Sequence, residues 1–192
     1  MYYIYIINMK NTEHFTETNP RTGNAQQVNV GDCVTRSIVI ALNLDYNYVY
    51  SKLSEGVKRL TKTGYILKDS DGVAPKWVGH RYYPRSSKIS ARNGVNKRVF
   101  RPFIKNHGMD FLDLNYLPRV IHFNCETLSK FPKGTFIIEL SKLGRKGGHL
   151  TCVKDNVIYD SWDCATSTRR KYYIKAIHHN QPNLKDIVMS WL

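Results

Sequence analysis

Cys33 stands at the end of the run Gln27-Val-Asn-Val-Gly31-Asp32-Cys33, which leads straight into the apolar stretch Val34 to Leu42. A cysteine in the first turn of a buried helix sits at the positive end of the helix dipole, and that favours thiolate, the nucleophilic form. Far downstream come Gly147-Gly148-His149 and then Asp160-Ser161-Trp162. A thiol, a distant imidazole and a carboxylate are the parts of an acyl-transfer site. The imidazole handles the thiol proton, the carboxylate fixes the imidazole tautomer, and backbone or amide N–H groups stabilise the oxyanion. The Cys33 N–H and the Gln27 side-chain amide are candidates for those donors.

Elements must bring these residues together. Val34, Ile38, Ala41 and Leu42 repeat at helical spacing, with Val39 and Ile40 on other faces, which predicts a helix buried all round. Asp32 reads as its cap. His149 to Val153 and Val157 to Trp162 read as strands joined at Asp155-Asn156, a good tight-turn pair. With a two-residue loop, Lys154 pairs with Val157 and Asp160 falls on the face of His149, within side-chain reach. A three-residue loop reverses the faces and makes Asp163 the alternative acid. The two-residue loop is preferred, and with it Asp160.

The remaining pattern predicts a second helix from Tyr46 to Leu60 capped by Asp45, a short helix from Val95 to Asn106, strands over 135–140 and 170–177, and a strand or short helix over 186–192. Residues 9–31 are polar and read as loop, whereas Met1 to Asn8 read as a strand or as residues preceding a start at Met9. Helices first and an antiparallel sheet later predict one α+β domain over 1–192. A basic insertion occupies about 72–109, a stretch with nine Lys and Arg and no Asp or Glu. Its aromatics, among them Trp77, Tyr82 and Phe100, make Arg81, Arg85, Lys88, Arg92, Lys97, Arg98 and Arg101 candidate contacts for a polyanion, either nucleic acid by phosphate contact and stacking or an acidic protein. The whole chain has 29 Lys and Arg against 15 Asp and Glu, a net charge of +14 in 192 residues.

Cys125, Cys152 and Cys164 read as small buried hydrophobes, with Cys152 facing away from His149. No C-x-x-C pair points to zinc, and the chemistry requires no metal or organic cofactor. Free thiols and a reducing, cytoplasmic setting follow. No apolar run approaches the roughly 18 residues of a membrane span. Arg36, one turn after Cys33, is expected to pair with Asp32 or Asp163, and His178-His179 reads as exposed polar surface.

The order and spacing resemble papain-like cysteine peptidases. That family has a glutamine six residues before the nucleophile and a glycine two before it, as Gln27, Gly31 and Cys33 stand here, then a histidine opening a strand and an Asn-Ser-Trp string, to which Asp160-Ser161-Trp162 is similar. The resemblance implies that Trp162 shields the histidine contact from water. Asp-Cys-x-x-Arg, Gly-His-Leu-Thr and Tyr-Asp-Ser-Trp-Asp also resemble small papain-like proteins of bacteria and their phages, and richness in Lys, Asn, Ile and Tyr fits such an AT-rich source, with the host cytoplasm as the location for a phage product. The match covers about 27–60 and 135–175. Asp32 and Val34 depart from the small residue and the aromatic that usually flank the nucleophile. The expectation is a thiol hydrolase of papain-like fold acting on a protein or peptide. The alternative is a non-catalytic basic binding protein on that scaffold.

Overall fold

The computed structural model describes residues 13–20, 31–62, 91, 95–142, 148–166 and 171–192. The fold is α+β, with five helices and a mixed, mostly antiparallel sheet among these residues. In chain order they form β1 (Phe15–Glu17), α1 (Cys33–Leu42), α2 (Tyr46–Lys62), α3 (Lys97–Asn106), β2 (Asp110–Asp113), β3 (His122–Phe123), α4 (Cys125–Ser129), β4 (Thr135–Lys142), β5 (Gly148–Lys154), β6 (Val157–Asp160), β7 (Tyr172–His179) and α5 (Leu184–Met189). The strands run in the order β1-β6-β5-β4-β7-β2, with β3 also on β7. Only β1 lies parallel to its neighbour, Phe15 beside Ile158 and Glu17 beside Asp160.

Helix α1 buries even its polar residues. The Thr35 hydroxyl donates to the Ala91 carbonyl at 3.0 Å and that of Ser37 to the Leu150 carbonyl at 2.8 Å, so neither is left unpaired among apolar neighbours. The helix stops at Asn43, whose φ of 52° few other residues adopt cheaply. Helix α2 follows at once, its first turn capped by the Asp45 carboxylate accepting from the Tyr48 N–H at 2.8 Å. Val49, Leu53 and Val57 form its buried stripe. At Gly56 an added Cβ would stand 2.5 Å from Val99 Cγ1, so the missing side chain sets how closely α2 and α3 approach. Helix α3 starts at Asn96, which accepts from the Arg98 N–H, and it tolerates Pro102 inside.

Strand alternation divides the core. Ile137 and Leu150 pack with α1, α2 and α3. Phe136, Ile138, Val153 and Ile158 pack with Leu128 of α4 and with Leu184 and Val188 of α5. The sheet is therefore covered on both faces.

Several expectations are corrected. The 9–31 stretch contains β1, whose single buried side chain, Phe15, is too little to make a strand pattern on its own. The last segment takes the helical one of its two expected forms, with its start moved to Leu184. The strand expected over 170–177 runs two residues later. His178 and His179 are buried, not exposed, because β7 is covered on both sides. The strand read at Met1 to Asn8 lies outside the described residues.

Candidate active site

Cys33 is the first residue of α1, His149 the second of β5 and Asp160 the last of β6. The β5–β6 hairpin has the two-residue turn read from the sequence. Lys154 pairs with Val157, and Asp155 and Asn156 take φ values of 49° and 72°, both in the left-handed region that this tight turn requires. Continuing that register sets Asp160 opposite Thr151 and diagonal to His149. The turn is also fastened from outside. Asp155 accepts from the Gly134 N–H at 2.9 Å, and the Asn156 amide donates to the Leu128 and Phe131 carbonyls, both at 2.8 Å. At the head of β5, a Cβ on Gly148 would stand 2.6 Å from the Leu140 carbonyl oxygen, so glycine lets β4 and β5 close next to His149.

His149 Nε2 meets Asp160 Oδ2 at 2.5 Å, with both residues buried. The same ring interacts with the Cys33 thiol, each shifting the titration of the other. Burial opposes charge on His149, but the Asp160 carboxylate and the hydrogen bonds to Asp160 and Cys33 raise its pKa to about 9. Burial likewise opposes the Cys33 thiolate, yet the hydrogen bond and charge of His149 leave that thiol below its ordinary value. Asp160 is held below the usual carboxylate range: burial resists this, and His149 and Arg36 outweigh it. Both shifts favour the thiolate–imidazolium pair over the neutral one. Cys33 is half-buried as a residue.

The other three thiols are free and shifted the opposite way. Burial pushes Cys152 up to about 12 and Cys164 well above its ordinary value, and Cys125 is raised by burial and by Asp163. His149, Asp160 and Cys164 offer metal-ligand atoms within 4.8 Å of one another. With His149 and Asp160 already bonded and Cys164 held as a thiol, that donor set behaves as an acid–base pair beside a buried SH group.

Trp162 packs against the imidazole with ring centroids 5.1 Å apart, and Tyr172 lies 6.3 Å from it and 5.9 Å from Trp162, so the three rings form one cluster. Asp163, the alternative acid, is occupied within its own loop, accepting from the Ala165 N–H at 2.9 Å and the Thr166 hydroxyl at 2.7 Å. Gln27 lies outside the described residues. As the first residue of α1, Cys33 has a backbone N–H with no partner inside the helix, which leaves it available to an oxyanion.

Asp32 does not cap α1 with its side chain. Its carboxylate, fully buried, accepts from Arg36 Nε at 3.0 Å and from the Tyr46 hydroxyl at 2.7 Å. Arg36 pairs with Asp32, as one expected option had it. Its second partner is Asp160, at 3.3 Å, and not Asp163. Nothing local in the sequence signals that link, which spans 124 residues.

Of the candidate polyanion contacts, Arg81, Arg85, Lys88 and Arg92 lie outside the described residues, while Lys97 and Arg98 are half-buried at the start of α3. Arg101 has internal partners. It grips Glu139 through two bonds of 2.8 Å and lies 4.0 Å over the Phe111 ring, and His178 Nε2 meets the same carboxylate at 2.8 Å. A guanidinium committed to an internal carboxylate has little left for an external phosphate. Among the described residues no helix is long and apolar enough to cross a membrane. Comparison of the chain with protein-family models, with curated proteins and with solved structures finds no match.

Proposed function

We propose that the protein is a papain-like cysteine hydrolase that cleaves an amide or isopeptide bond of a protein or peptide. The observation carrying this reading is the imidazole of His149 held between the Cys33 thiol and the Asp160 carboxylate, with Cys33 the one thiol of four whose pKa falls. A nucleophile heading a buried helix, with its base and acid on an antiparallel sheet, also fits the papain-like resemblance.

The Cys33 thiolate attacks the carbonyl carbon, and the C=O electron pair moves onto oxygen, where the Cys33 N–H, and in this proposal the Gln27 amide, receive it. Collapse expels the amine, which takes its proton from the His149 imidazolium. His149, now neutral, removes a proton from water, and the resulting hydroxide attacks the thioester. The acid leaves, and thiolate and imidazolium are restored. Asp160 keeps the ring oriented throughout, and Trp162 excludes water from that contact. An amine in place of water gives acyl transfer by the same groups.

Iodoacetamide at neutral pH followed by peptide mapping tests the reading. Cys33 is expected to label far ahead of the other three thiols and to lose that advantage in His149→Ala. A panel of amide and isopeptide substrates should then give a thioester at Cys33 that hydroxylamine releases. Slow, even labelling of all four thiols would refute the hydrolase.

The net charge of +14 favours a second reading, a basic protein that holds nucleic acid or an acidic protein on this scaffold without turnover. Retention on DNA or RNA columns that weakens steeply with salt supports it, and failure to bind at low salt removes the nucleic-acid form.

A further inference from the structure

Arg36 is buried, charged and unused by the chemistry just described. It lies three residues after Cys33 on α1, with 5% of its surface exposed. One guanidinium edge meets Asp32 Oδ1 at 3.0 Å, and NH1 meets Asp160 Oδ1 at 3.3 Å. Asp32 is fixed in turn by the Tyr46 hydroxyl from α2. The second lobe of the Asp160 carboxylate therefore has its own partners, Arg36 and the Ser161 N–H at 2.7 Å, while the first lobe faces the imidazole.

We propose that Arg36 is a positioning residue that ties the nucleophile's helix to the acid's strand, fixing the rotation of the Asp160 carboxylate so that Oδ2 stays on His149. The proposal rests on the hydrolase reading above. The geometry explains why a costly arrangement sits here. Two carboxylates and a guanidinium taken out of water stabilise a fold less than a well-packed apolar cluster of the same size, so stability alone gives no reason to keep them. A planar fork that reaches two carboxylates at once gives direction, which a point charge does not. The arrangement also makes the site one unit: a shift of α1 that displaced the sulfur would drag the acid's partner with it. The titratable and charged groups around Asp160 are His149 from β5, Arg36 and Cys33 from α1, and Cys164 from the loop after β6, with Asp32 behind Arg36 and Cys152 on the opposite face of β5 within range of its charge.

Two variants test this, each judged by Cys33 alkylation with iodoacetamide between pH 5 and 9 and by the NMR titration of the His149 ring. Asp32→Asn with Arg36→Gln removes the guanidinium without stranding the buried Asp32 charge. Arg36→Lys keeps the charge but not the fork. Circular dichroism and thermal melting establish that each is folded. The expected result is alkylation at pH 6 slowed by about tenfold in the double variant, the loss of one charge-assisted contact, and by less in Arg36→Lys. The His149 midpoint should fall from about 9 in the same order. A folded variant of either kind with the wild-type profile and the wild-type His149 midpoint would overturn the proposal. If wild-type protein shows no acid-shifted alkylation of Cys33, the hydrolase reading itself fails and this one with it. That failure is told apart by appearing without any substitution.

Discussion

Cys33 and His149 titrate as a pair, so the useful pH window belongs to both. The thiolate–imidazolium form is favoured by the lowered Cys33 value and by a His149 that keeps its proton up to about 9. Alkylation of Cys33 should therefore set in at lower pH than that of the other three thiols. In His149→Ala the half-point should rise, because the hydrogen bond and charge that most offset burial of the thiol are gone. The stability contribution of His149 follows its raised pKa. It is complete below the ordinary 6.5 and disappears as pH rises through about 9, which urea unfolding at pH 6 and pH 10 would detect as a difference absent from His149→Ala. Asp160→Asn should slow Cys33 chemistry at neutral pH by two orders of magnitude or more, about the scale of losing the correct tautomer. Asp163→Asn should leave the rate within about twofold, since Asp163 serves only its own loop. The shared face of His149 and Asp160 was legible because a two-residue turn and strand alternation are local rules, and the place of Cys33 at a helix start because the apolar period begins just after it. The Arg36–Asp160 pair and the burial of His178 were not, because each depends on which elements pack together.

Helices α1 and α2 were legible through their 3.6-residue apolar period, and the β5–β6 hairpin through its Asp-Asn turn. The short strands were not. Asp110-Phe111-Leu112-Asp113 and His122-Phe123 become strands by taking hydrogen bonds from β7, and Phe15 to Glu17 by taking them from β6, so the decisive signal lies in the neighbour's sequence. Two substitutions test how elements hold the site. Gly148→Ala forces a Cβ to within 2.6 Å of the Leu140 carbonyl and should cost about 1–3 kcal/mol in urea unfolding, with slower Cys33 alkylation because His149 is the next residue. One residue inserted between Asp155 and Asn156 should shift β6 by one position, turn Asp160 to the opposite face and return Cys33 to ordinary thiol reactivity.

Among the described residues, three acidic side chains, Asp32, Glu139 and Asp160, are buried, and each is paired with a cation or an imidazole. Asp32 and Asp160 anchor one end of the sheet, and Glu139 gathers Arg101 and His178 in its middle. Burial raises the Glu139 pKa, but the bonds from His178 and Arg101 outweigh it and hold the carboxyl below its ordinary 4.5. Its stabilisation is therefore present above 4.5 and is lost as pH falls through the lowered value. Glu139→Gln should destabilise the protein by about 3 kcal/mol at neutral pH and flatten the acid limb of the unfolding curve, both readable from thermal melts between pH 2 and 7. The candidate phosphate-binding role of Arg101 was drawn from composition, and composition does not show which cations the fold consumes internally.

Strand β1 pairs with the strand that ends in Asp160, and just past it the Thr18 N–H donates to the Asp160 carbonyl at 2.7 Å. The acid's backbone is thus clasped from outside by residues that enter no reaction. Trimming the chain beyond Asn19 would remove no reacting group, yet it would leave β6 as a bare sheet edge and let its last residue drift. Under the proposed hydrolase reading, loss of Cys33 reactivity in such a shortened protein would arise from slackened geometry alone, and a peptide spanning 13–20 supplied in trans would be the natural remedy.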